Sequence, residues 1–176
     1  MTLLARVVSA LDGRGVRCAL IGATAMAVHG FSRATLDFDL MTTDGQCLDR
    51  SWWAGLAHTG WSVDIRAGGS DDPLAGVARF DALHERSVDV LVGREAWQQR
   101  LLERASLFAI EDTRVRVAQV ADLVLLKLYA GGPQDAWDVH QLLSVEGRVE
   151  LVAGVDRELH ELPEECQALW RRILAG

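Results

Sequence analysis

The chain has little cysteine, with Cys18, Cys47 and Cys166 its only three. Their odd number and wide spacing exclude a disulfide framework and show no zinc-ligand spacing. They read as packing or surface residues of a protein kept in a reducing cytosol. No apolar run approaches the ~18 residues that span a bilayer. The first residues, Met1 to Arg6, carry no cleavage pattern. A membrane span and a signal peptide are therefore not expected, and the cytoplasm is the expected compartment. A basic excess is missing as well: 18 Lys and Arg stand against 25 Asp and Glu, a net charge of −7. A protein that grips nucleic acid mainly through phosphates carries the opposite balance, which argues against broad nonspecific binding. A local patch built from Arg94, Arg100, Arg104, Arg114 and Arg116 stays open, beside the plainer reading of a solvated helix face and an exposed strand.

What is present is a chain of 176 residues, 49% hydrophobic, enough for one packed domain. Leu4, Val7, Val8 and Leu11 recur at i, i+3, i+4, i+7 and predict an amphipathic helix over Leu3 to Leu11, ended by Gly13 and Gly15. Strands are predicted at Arg17–Ile21, Asp37–Met41, Trp61–Arg66, Val77–Phe80 and Ser87–Val92. Leu107–Ile110 and Arg114–Val117 form a predicted hairpin. Helices are predicted at Thr24–His29, Leu48–Leu56, Arg94–Ala105, Val120–Tyr129 and Asp135–Leu143, with tail helices at Val149–Leu159 and Glu164–Leu174. Strands come first with helices between them, and helices dominate at the end. The pattern predicts an α/β (α+β) fold: a core over residues 1–117 and a C-terminal helical region over 118–176 packed on it.

The chemistry concentrates in Ile21-Gly22-Ala23-Thr24 and in Arg33-Ala34-Thr35-Leu36-Asp37-Phe38-Asp39-Leu40. On a strand, Asp37 and Asp39 share one face while Phe38 and Leu40 take the other. Two carboxylates side by side are costly without a cation between them, and hard oxygen ligands suit Mg²⁺ or Mn²⁺. A Gly turn at a helix start offers backbone N–H groups to phosphate. Asp89, an isolated charge in the apolar run Val88–Val92, is the candidate third carboxylate, with Asp64 as its rival. Together these residues suggest a site for a metal-bound nucleoside triphosphate. Lys127 stands among Leu125, Leu126 and Leu128, so it needs a partner, a function or a path to the surface. Asp135 and Asp138 share one face of the next predicted helix. His29 and His140 read as structural, and the six Trp as core or interface residues.

The order Gly22…Asp37-x-Asp39…Asp89 resembles the nucleotidyltransferase superfamily of the polymerase β type. The fuller string Leu20 to Gly30 with Arg33, Thr35, Asp37 and Asp39 resembles its AbiEii/MenT-like branch, which includes toxins of toxin–antitoxin systems. Leu126-Lys127-Leu128 followed by Asp135-Ala136-Trp137-Asp138 resembles the branch's C-terminal pattern. Ala23 departs from it, standing where Gly or Ser is usual, with Thr24 placed to supply the hydroxyl. The resemblance implies a mixed sheet flanked by helices and Mg²⁺-dependent transfer of a nucleoside monophosphate from an NTP such as ATP to an acceptor hydroxyl. It implies metal binding by Asp37, Asp39 and Asp89, and nucleotide contacts from Gly22, Ala23, Thr24, Arg33 and Lys127. Asp138 would help form the site by orienting Lys127, and Thr35 would be a phosphorylated off switch. The acceptor it implies is RNA, with the tRNA 3′ end first, and the partner a cognate antitoxin protein. Transfer to a small hydroxylated molecule of the aminoglycoside kind is the rival enzyme reading. A non-catalytic domain that binds a nucleotide or a partner protein is the rival outside catalysis.

Overall fold

The apolar spacing at the N-terminus does form a helix. α1 (Leu3–Asp12) buries Leu4, Val7, Val8 and Leu11, and the Thr2 hydroxyl caps it by accepting from the Ala5 amide at 3.2 Å. The structure, a computed structural model, describes residues 1–31, 35–56, 60–70, 72–144 and 147–175. β1 (Ala19–Ile21) is buried throughout and leads directly into the short helix α2 (Gly22–Val28). β2 (Asp37–Thr42), β3 (Trp61–Ala67), β4 (Leu74–Ala82) and β5 (Ser87–Gly93) follow, then α3 (Ala96–Arg104) and the hairpin of β6 (Ser106–Ile110) and β7 (Thr113–Val117). The chain ends in α4 (Val120–Ala130), α5 (Pro133–Leu142), α6 (Arg148–Glu158) and α7 (Glu164–Ala175).

The seven strands form one mixed sheet in the order β3-β4-β5-β2-β1-β7-β6. β2 runs parallel to β5 and β1 parallel to β7, while β1 and β2 are antiparallel. The central strands β2 and β5 bury one face, where Leu40, Val88 and Val90, with Leu20 of β1, are all fully buried, and leave Asp37, Asp39, Ser87 and Asp89 half-buried on the other. α1 packs against β4, β5 and β7, and α2 packs on β1, β2 and α4. Trp53 sits edge-on to Trp52 and Phe80 and donates its indole N–H to the Cys47 carbonyl at 2.8 Å. All three cysteines are buried free thiols. His29 bonds the Ala118 carbonyl through Nε2 at 2.8 Å, a structural use that ties α2 to the start of the helical region.

Two sequence expectations need correction. Leu48–Leu56 is not one α-helix but two 3₁₀ turns, Gly45–Leu48 and Arg50–Leu56. Asp44 and Asp49 each accept from the amide two residues on, at 2.9 and 2.8 Å, and these local bonds compete with an α-helical ladder. Arg100 and Arg104 form neither a free basic patch nor a solvated helix face. Arg104 grips Asp122 and Glu158 and so joins α3 to α4 and to the end of α6, while Arg100 grips Glu158 and Glu161 and joins α3 to the end of α6 and the turn after it.

Candidate active site

A row of residues runs in register across the sheet: Asp64 on β3, Arg79 on β4, Asp89 on β5, Asp39 on β2 and Ile21 on β1. Residues directly opposite one another project to one face. Asp89 is therefore the immediate neighbour of Asp39, one strand spacing away. Asp64 lies three spacings from Asp39, roughly 14 Å at the usual strand separation. Its carboxylate is more than half exposed and pairs with Arg66 at 2.9 Å. Asp37, two residues before Asp39, lies on the same face opposite Ser87, and the Thr35 hydroxyl donates to its Oδ1 at 2.6 Å.

The chain turns at Gly22 directly beside Asp39. Its φ of +65° is in the left-handed region, and a Cβ there would overlap the Asp39 carboxylate, so only glycine fits. Ala23 is buried, and Thr24 stands one residue on. Lys127 reaches this corner from α4. Its Nζ lies 2.8 Å from Asp135 Oδ1 and 2.7 Å from Asp138 Oδ2 on α5, with Asp138 fully buried. The Lys side chain is only 13% exposed, so it does not run out to the surface. α5 is positioned for this by Pro133 in its first turn and by Asp135, which also accepts from the Gly132 amide at 3.1 Å. Gly22, Asp39, Lys127 and Asp135 line one cavity of about 230 Å³, whose remaining wall is mostly apolar, with Leu91, Leu123 and Tyr129 beside the polar Gln98. Asp37, Asp89, Thr24 and Asp138 do not line it, and Arg33 lies outside the described residues.

Burial pushes the Asp89 carboxyl above its ordinary value, Arg79 pulls it back, and Asp37 and Asp81 push it up again. Arg79 Nη1 holds Asp89 Oδ2 at 2.8 Å, while Asp89 Oδ1 is buried with no hydrogen-bond partner. An orphaned buried carboxylate oxygen is what a hard cation would satisfy. Asp37, Asp39 and Asp89 fit such an ion in donor type and in strand register. Their side chains are not gathered around a common point, however. Among the described residues no group of three His, Cys, Asp or Glu is close enough to hold a metal. Asp37 is engaged instead by Thr35 and Asp89 by Arg79.

Two cations escaped the sequence reading. Arg79 alternates with buried Ala78 and Phe80, a sign that it faces the other side, but its place opposite Asp89 depends on a register no local pattern reveals. Arg86 immediately precedes β5, the Asp89 strand, and its guanidinium reaches both Thr24 and the backbone of Asp37.

Residues 1–174 match the family described as nucleotidyl transferase of unknown function (DUF2204). No curated protein matches the chain. Among solved structures, an antigenic nucleotidyltransferase-like protein from Paracoccidioides brasiliensis is similar at 16% identity. The alignment covers 93% of this chain and 88% of that one, with a TM-score of 0.50, a likeness of fold. The solution structure of the antibiotic-resistance factor ANT(2'')-Ia is also similar, at 14% identity, 97% and 88% coverage and a TM-score of 0.45.

Proposed function

The chain belongs to this nucleotidyl transferase family, and on that premise we propose that it moves a nucleoside monophosphate from an NTP to an acceptor hydroxyl, with pyrophosphate as leaving group, in a metal-dependent reaction. The observation that carries the reading is the adjacency of Asp39 and Asp89 in register, with Gly22 against one carboxylate and an unpartnered buried oxygen on the other. Asp37, Asp39 and Asp89 would hold Mg²⁺ or Mn²⁺, which when bound neutralises triphosphate charge and makes the acceptor hydroxyl more acidic. Lys127, held and aimed by Asp135 and Asp138, would meet the triphosphate from the opposite wall of the cavity. Gly22, Ala23, Thr24 and Arg33 would contact the phosphates. Catalysis is then mostly positioning and charge neutralisation.

For the acceptor, the likeness of the Leu20–Asp39 string to toxins of the AbiEii/MenT-like branch supports RNA, with the tRNA 3′ end first and a cognate antitoxin as partner. On this reading Thr35, bonded to Asp37, is the residue whose phosphorylation would silence the site. A small hydroxylated acceptor is favoured by a different observation: Arg100 and Arg104, the cations that would track an RNA backbone, are consumed by Asp122, Glu158 and Glu161. The acceptor would approach through a hollow of about 590 Å³ that adjoins the cavity and shares Pro73, Tyr129 and Ala130 with it.

The test incubates wild type and Asp39→Asn with Mg²⁺, each α-labelled NTP and total RNA. Label in RNA from the wild type alone establishes the reaction and the RNA acceptor. Transfer to an aminoglycoside-type molecule instead selects the small acceptor. Full activity of Asp39→Asn overturns the site.

A further inference from the structure

Resting on that reading, we propose that Arg86 is a positioning residue for the triphosphate: it holds the Thr24 hydroxyl as a directed donor and fixes it to the strand that carries Asp37. One nitrogen makes both connections. Arg86 Nη2 donates to Thr24 Oγ1 at 2.9 Å and to the Asp37 backbone carbonyl at 2.8 Å. These two acceptors belong to different elements, α2 and β2, separated by the segment around Arg33, so the guanidinium is a cross-link between the two halves of the site. Its Cζ lies over the Phe38 ring, 3.7 Å from the centroid, and Phe38 is itself 2% exposed. A flat cation stacked on a fixed ring has little freedom left to lose.

The chemistry follows from donor and acceptor roles. A threonine hydroxyl has one proton to give and lone pairs to receive with. With Arg86 donating into Thr24 Oγ1, the Thr24 proton is directed away from Arg86. A hydroxyl that accepts from a cation is a stronger donor, because the bonds polarise one another. The described contacts of the guanidinium are to neutral partners, the Thr24 hydroxyl, the Asp37 carbonyl and the Phe38 ring. Its positive charge therefore stays available to the anion that Thr24 would meet. Arg86 Nε is buried with no hydrogen-bond partner. Leaving that donor unsatisfied is a cost the fold bears to keep the guanidinium in this pose. The departure at Ala23 gives the arrangement its purpose: with no hydroxyl at position 23, the one at position 24 has to be aimed.

The test is a double-mutant cycle on binding of a ribose-labelled fluorescent nucleoside triphosphate with Mg²⁺, with the matching monophosphate as control. Thr24→Val and Arg86→Met are each expected to weaken triphosphate binding about tenfold. The pair together should do no worse than Arg86→Met alone, with the monophosphate nearly unaffected. Arg86→Lys should not restore binding, because an ammonium cannot stack and bridge in the same way. It also serves as the folding control, with thermal midpoints recorded for all variants. Losses that multiply to about a hundredfold overturn the inference, as does full binding by Arg86→Lys or a fall in thermal midpoint without a change in triphosphate affinity. A wild type that binds no triphosphate overturns the proposed function together with it. Binding by the wild type with independent losses overturns only the role of Arg86.

Discussion

On the side of the molecule where α3 meets α4 and α6, Asp122 and Glu158 are buried and guanidiniums close on both. Arg104 bonds Asp122 at 2.5 Å and Glu158 at 2.8 Å, and Arg100 bonds Glu158 at 2.7 Å. On the sheet, Asp89 is half-buried, yet Arg79 serves one of its oxygens and the other, itself buried, has no hydrogen-bond partner. The same residue types are thus finished in one region and left open in the other. Glu158 is held below the ordinary carboxylate range by its arginine bonds, whereas Asp89 is pushed above it by burial. Desolvating a charge is costly unless the partner set is complete. The closed cluster therefore belongs to the fold. The open one keeps a buried acceptor oxygen without a hydrogen-bond partner, and this is where function is expected. Lys127 stands between the two types. It is fully engaged by Asp135 and Asp138, yet it lines the cavity that holds Asp39.

That intermediate position makes Lys127→Met the most damaging change. It leaves Asp138 buried without its cation, which costs about 3–5 kcal/mol when one partner of a buried pair is removed. It also removes the proposed contact to the triphosphate. Loss of both thermal stability and transfer is expected, with calorimetry and the labelled-NTP assay as the two readings. A stable but inactive variant would move Lys127 to the open type, and an unstable but active one to the closed type. Asp89→Asn separates the two readings further. The variant should lose transfer by at least about a thousandfold, the scale of several kcal/mol of transition-state stabilisation. Its thermal midpoint without metal should be no lower than that of the wild type, because a neutral amide relieves the buried charge. Retained transfer would remove Asp89 from the site and collapse the comparison.

Arg104→Met is the mirror image and the next in size. Asp122, at 2% exposure, loses its bonded partner, and Glu158 keeps only Arg100. Arg104 is itself partly exposed, so the lower end of the scale applies, about 3 kcal/mol, or about 6–12 °C in thermal midpoint for a domain of this size. The rate of transfer per folded molecule should be unchanged. A fall in that rate at unchanged stability would show that the cluster reaches the reaction.

Much of this was legible in the residues. The period-3.6 pattern of Leu4, Val7, Val8 and Leu11, the Gly131-Gly132-Pro133 break and the apolar strands around Asp39 and Asp89 place the elements nearly where they lie, because each signal is local. Gly22 with Asp39 was legible through the order of the motifs, and Lys127 with Asp138 through the family resemblance. The 3₁₀ turns at Gly45–Leu48 and Arg50–Leu56 were not, since the apolar spacing of Trp52, Trp53 and Leu56 outweighed the Asp44 and Asp49 side chains that stop the ladder. The choice between Asp64 and Asp89 turned on sheet order, which no single segment encodes. Arg79, Arg86, Arg100 and Arg104 were the least legible. An arginine in a sequence is a charge, and only the pairing of distant elements decides whether it tightens the fold, steadies a ligand or faces water.

The smallest effect tests the comparison at two single carboxylates, because Asp89 in the open site and Glu158 in the closed cluster should respond to acid with opposite signs. The fold raises the Asp89 value, so its contribution is fully present below the ordinary Asp value near ~4 and is lost as pH rises through the raised value. Asp122, also raised by burial, acts in the same direction. The fold lowers the Glu158 value, so its contribution is present above the ordinary Glu value and is lost as pH falls through the lowered one. Thermal midpoints recorded in a chelator from pH 7 downward should therefore show Asp89→Asn ahead of the wild type at neutral pH. That lead should close as the pH approaches ~4 and the wild-type carboxyl takes up its proton. Glu158→Gln should behave in the opposite way, trailing the wild type at neutral pH and approaching it only in stronger acid. A lead for Asp89→Asn that stays constant across this range would mean that its ionisation is not what the fold resists. The open site would then be no more strained than the closed cluster.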